Sequence, residues 1–157
     1  MGRGRYFSTR DQRFIRGVNE ELLNDIIQTG VVLYRISPET TEINIYGEVS
    51  SKSKKAYYTG ININAYIDKG ELSTSPDDFI DKKQNTVFKF LYHELKELDV
   101  YLQEGDLIGF NQRLYQCDNV VGQEQLLGGQ PDKSFSIICN THYSRLSVND
   151  IKFIDQR

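Results

Sequence analysis

The chain is predicted to be mainly β: a small β-barrel or open sandwich with an N-terminal helix, a short second helix and extended loops or arms. Three observations lead there. Short runs rich in Val, Ile, Tyr and Phe recur along the chain, separated by Gly, Pro, Asn, Asp and Ser. The stretch 57–67 alternates apolar and polar residues with period two, as a half-buried strand does. A single early segment repeats its apolar residues at helical spacing instead. At 157 residues the chain can bury one sizeable core, and 38% hydrophobic with 26% charged residues is the composition of an ordinary globular protein. The expected division is a basic N-terminal arm over 1–17 and one β-rich domain over 18–157 that ends in a strand or arm.

The elements follow in order. Val18, Leu22, Leu23, Ile26 and Ile27 share one helical stripe, Asn19 suits the N-cap, and Gly30 follows as a stop. Val31 to Ile36 reads as a strand closed by Ser37-Pro38, and Ile43 and Ile45 mark a second strand-like piece. The stretch 50–55 contains no apolar residue and is expected to be an exposed loop. After the strand at 57–67, the run 73–78 is rich in turn residues. Thr86 to Leu98 reads as a buried strand leading into a helical turn. Glu104, Gly105 and Asp106 form a fold-determining turn, because glycine permits positive φ and aspartate bonds local amides. Leu107 to Phe110 is then a strand, and Leu114 to Cys117 with Val120-Val121 pairs with it. A glycine-rich loop, 122–131, precedes a strand at Phe135 to Cys139, and the stretch 148–154 is a terminal strand or arm. Ile61, Ile63, Ile67, Leu107, Ile137 and Cys139 are the expected core.

Catalytic and ligand motifs are thin. His93 and His142 are the only histidines, and Cys139-Asn140-Thr141-His142 is at most half a zinc site with no second close pair. No phosphate-binding glycine loop and no Gly-x-Ser-x-Gly elbow is present. The expectation is therefore no enzyme, no metal and no cofactor. No run of 18 apolar residues exists for a membrane span, and the first 16 residues lack the apolar core of a secretory signal. Two cysteines give no disulfide framework, so reduced thiols and cytoplasmic synthesis are expected. Ten tyrosines and no tryptophan suit protein interfaces, where a ring packs and a hydroxyl stays wet.

Charge is unevenly placed. Residues 1–16 hold five arginines against Asp11, a net of +4; with −3 for the whole chain, the remainder carries −7. Phe7, Phe14 and Ile15 lie among the arginines as apolar anchors. Arg3, Arg5, Phe7, Arg10, Arg13, Phe14, Ile15 and Arg16 are accordingly the expected interaction residues, matched to an acidic neighbour.

Several segments, in this order, resemble one known family. Asn19-Glu20-Glu21-Leu22 opening a helix, the strand with Val32 and Tyr34, and Ile45-Tyr46-Gly47-Glu48 are similar to the start of phage neck proteins. The block Gln103 to Phe110, followed by Arg113 to Cys117, looks like that family's Glu-Gly-Asp turn and strand; a late segment, Ile138 to Ser144, completes the likeness. The resemblance is to the neck, or head-completion, proteins of contractile-tailed bacteriophages, over about residues 18–150. It implies a virion structural subunit, assembled in the bacterial cytoplasm, whose copies form a homo-oligomeric ring between the portal or adaptor ring of the capsid and the tail. Such a ring closes the filled head and docks the tail. DNA would only pass through its channel, without sequence-specific binding, and no membrane is involved. A tail-terminator or tail-tube ring protein, or a small β-barrel protein-binding module, remain the alternatives.

Overall fold

A computed structural model describes residues 8–37, 55–70, 85–122, 135–144, 146 and 151–154. Ser8 starts the first element. Its hydroxyl accepts the Asp11 N–H, and the Asp11 carboxylate accepts the Ser8 N–H at 3.0 Å, a reciprocal cap that opens helix α1, Thr9–Glu21. The N-cap is therefore Ser8 and not Asn19, and Arg10, Arg13 and Arg16 are helical rather than part of an extended arm. The wider π turn Leu22–Ile27 continues the helix. Gln28, in the left-handed conformation at φ 50°, ends it by giving its N–H to Leu23 O; Gly30 is instead the first residue of a strand.

Seven strands form one antiparallel sheet. They are β1 Gly30–Tyr34, β3 Ile61–Asn64, β4 Tyr66–Lys69, β5 Asn85–Leu91, β6 Leu107–Phe110, β7 Arg113–Gly122 and β8 Ser136–Ser144, in the order β3-β1-β6-β7-β8-β5-β4. The expected strands at 114–117 and 120–121 are one strand, β7, with a bulge at Asp118 between its pairings with β8. Asn111 and Gln112, both at positive φ, make the two-residue β6–β7 hairpin turn whose twist matches paired strands.

The outermost strands are consecutive in sequence. The single run expected at 57–67 falls into three pieces: Tyr57 and Tyr58 belong to a separate two-stranded sheet, β3 pairs with β1 on one edge, and β4, beyond Ala65, pairs with β5 on the other. Buried Ala65 alone joins β3 to β4, and its N–H is given to Thr29 O at 2.9 Å. The sheet must therefore curl until its edges meet at this residue, although β3 and β4 do not pair with each other and the sheet is not a closed barrel. Contacts across the curl agree. The Lys69 ammonium on β4 lies 5.9 Å from the Phe110 ring centre on β6, and Phe88 on β5 packs edge-on against both Phe110 and Tyr115.

Period-two alternation gives the sheet two apolar faces. The inner one holds Val31, Leu33, Ile63, Phe88, Phe90, Ile108, Tyr115, Cys117 and Cys139. Helix α2, Tyr92–Glu97, follows β5 directly and adds Leu95 to that core; Val100 then contributes after a left-handed turn at Asp99. On the outer face Leu107 and Leu114 pack with Tyr57 and Ile151. Tyr57 belongs to a small sheet in which β2, Ala56–Tyr58, runs parallel to β9, Lys152–Ile154, and Ile151 immediately precedes β9. Of the six expected core residues, Ile63, Leu107 and Cys139 are buried, while Ile61, Ile67 and Ile137 are partly buried against the same core. The strand-like piece at 43–47, the lysine-bearing residues 50–54, the linker 73–78 and the loop 123–131 lie outside the described residues.

Candidate functional site

Helix α1 carries the most unusual surface. Phe14, Val18, Leu22 and Ile26 follow one another at i, i+4 spacing and all face solvent, Phe14 being 72% and Ile26 70% exposed. Sequence spacing alone groups Val18, Leu22 and Ile26 with Leu23 and Ile27 in one apolar stripe; the structure buries only Leu23 from this helical segment's apolar residues. Arg10 stands one turn before Phe14 on the same line and Arg13 beside it, both exposed. Ile15 and Arg16 are half-buried, and Arg16 borders a small cleft with Asn19, Glu20, Leu91, His93 and Phe135. Arg3, Arg5 and Phe7 lie outside the described residues.

The base of this helical segment is held by a chain of amides. Asn64 Nδ2 donates to Asn24 Oδ1 at 2.8 Å, and Asn24 Nδ2 donates to the Glu94 carboxylate. One side chain thus ties the π turn to edge strand β3 and to α2. Beside this latch opens a depression of about 320 Å³, walled by Asn62, Asn64, Glu94 and Glu97 with Ile63 and Leu98 as its apolar part. Glu97 also receives His93 Nε2 at 3.0 Å. Asn24, Asn64 and Glu94 escape sequence reading because they lie 40 and 70 positions apart and share no motif.

The Glu104-Gly105-Asp106 turn has a different character. Gly105 sits at φ 95°, and Glu104 is exposed. Asp106 is 1% exposed, and its carboxylate accepts the N–H groups of Ile36 and Gln103 at 2.9 and 2.8 Å. Burial raises its pKa, against the pull of those two bonds and of Arg35. Tyr57, above it, is pushed up to about 12 by burial first and by the Asp106 charge second. The arrangement clamps the end of β1 to the start of β6, and neither group lines the cleft beside Arg16 or the depression beside Asn24.

The thiols sit deep. Cys117 and Cys139 are buried on neighbouring strands, and the bond to Cys117, aided by burial, raises the Cys139 pKa, so the thiolate needed for nucleophilic or metal chemistry is disfavoured. His142 Nδ1 lies 2.6 Å from Asp118 Oδ1, an exposed pair created by the β7 bulge. Among the described residues, no three His, Cys, Asp or Glu side chains converge as metal ligands, and no helix is long and apolar enough to cross a membrane. No protein-family model matches the chain, and no curated protein matches it in sequence.

Proposed function

We propose that this chain is a structural subunit of a phage virion: a neck or head-completion protein whose copies assemble into a ring between capsid and tail. The observation that carries the reading is the exposed line Arg10, Phe14, Val18, Leu22 and Ile26. Four large apolar side chains in contact with water along one helix mark a surface built to meet another protein. The segment order from Asn19 through the Glu104-Gly105-Asp106 turn to Ser144 supports the particular class. The protein then acts by shape and attachment rather than by catalysis: the curled sheet is the rigid body, and α1 is the attachment element. Its acidic remainder suits a channel wall past which DNA slides, since like charges keep phosphates from sticking.

Native mass spectrometry and electron microscopy of the purified full chain test self-assembly, and antibody labelling of particles tests location. A closed ring, with label between head and tail, is the expected result. A monomer at every concentration, or label confined to the far end of the tail tube, overturns the proposal.

A further inference from the structure

The depression beside the Asn24 latch has the chemistry of a receptor for an arginine. Leu98, 48% exposed, supplies apolar surface for an aliphatic stem, while Glu97 and the Asn62 and Asn64 side-chain oxygens are acceptors for a guanidinium. The same chain displays the complementary object. Arg10 and Arg13 stand exposed beside Phe14 on α1, and among the described residues neither is within ion-pair distance of a carboxylate. A chain's own helix cannot bring the two together. Arg13 lies three turns before Asn24, which places it about 16 Å up the helix axis from the latch that borders the depression.

We infer that the depression walled by Asn62, Asn64, Glu97 and Leu98 receives the Arg10–Arg13–Phe14 end of helix α1 from a second copy of this chain. The contact is heterologous: each copy offers its helix to one neighbour and its depression to the other, and repetition about a rotation axis closes a ring. Opposite charge orients the approach, and Phe14 against Leu98 supplies the apolar contact. This deepens the assembly reading above and rests on it.

Charge reversal in the full chain tests the pairing, with sedimentation equilibrium as the readout. Arg13→Glu and Glu97→Lys should each weaken self-association about fivefold or more, and the double variant should recover most of the loss. Circular dichroism melting controls for folding. Independently, Phe14→Cys with Leu98→Cys should yield, under mild oxidation, a ladder of cross-linked dimers, trimers and higher species that neither single variant gives; the native thiols are buried. A dimer from Phe14→Cys alone would mean that helices pair with helices, and a cross-link within one chain would mean that the depression is filled from its own molecule. Either overturns the inference. Unimpaired self-association in both charge variants also overturns it, yet leaves the assembly reading standing if rings still form; a wild-type monomer at all concentrations overturns both.

Discussion

Replacing Asp106 by Ala should be among the most damaging single changes in this protein. The carboxylate is the sole described acceptor for the N–H groups of Ile36 and Gln103, at a site 1% exposed. Alanine leaves two part-buried donors unmatched, at about 1–3 kcal/mol each. Relief from burying a charge offsets part of that cost, so a net loss of about 3 kcal/mol is expected. For a chain of this size that corresponds to a melting temperature lower by about 6–12 °C. Asp106→Asn should fall between wild type and Ala, because its oxygen satisfies one N–H while its amide faces the other. Gly105→Ala provides a separate measure of the turn. A Cβ there would meet Ile36 Cδ1 at an ordinary 3.7 Å, so its cost of about 1 kcal/mol is backbone strain at φ 95°. Urea denaturation followed by circular dichroism measures all three. A loss below about 1 kcal/mol for Asp106→Ala would refute the premise that the clamp holds β1 to β6, and would mean that water reaches both N–H groups.

The same carboxylate gives stability a pH dependence. Its folded pKa is raised, so its favourable contribution is fully present below the unfolded value near 3.8 and is lost as pH rises through the folded value; Asp106→Asn should flatten that fall in equilibrium titrations. Phe88→Ala, at a fully buried position where three aromatic rings meet, should cost about 3–5 kcal/mol, and a cost under 1 would displace Phe88 from the core. Asn24→Ala should leave the sheet intact while speeding amide exchange through Leu22–Ile27, because it releases both Glu94 and Asn64; unchanged exchange would show that the latch carries nothing. Cys117 and Cys139 should react with a thiol reagent only at the rate of unfolding, whereas prompt labelling of the native protein would contradict their burial.

Local chemistry that acts within a few residues was legible. The alternation at 61–67, the β-branched run at 31–34 and the strand-to-helix switch near Leu91 all announce their elements, because each depends on its own side chains. The start of α1 depends on Ser8 and Asp11 bonding one another, a signal buried in an arginine-rich stretch that reads as a basic arm. The fate of Val18, Leu22 and Ile26 turns on what lies opposite them, and spacing says nothing of that. Pairing is the other gap. A regular alternation through 61–67 identifies the inward face correctly but does not reveal that its first half belongs to β1 and its second to β5. The Asn24 latch is a product of those distant pairings and appears only once they exist.

The single-residue join at Ala65 makes the two margins of the sheet one mechanical unit. A strand slipping by one position turns its inward side chains outward, and hairpins with pliant loops can absorb such an error on one side alone. Here a slip of β3 along β1 would drag β4 along β5 by the same step, exposing Ile63 and Ile67 together. The misregistered state is therefore penalised twice for one mistake, and native alignment on either side proofreads the other. The short margins β3 and β4 are also drawn toward each other instead of standing as separate open templates for foreign strands. In the ring proposed above, that arrangement would leave helix α1, and not a strand margin, as the surface offered for contact.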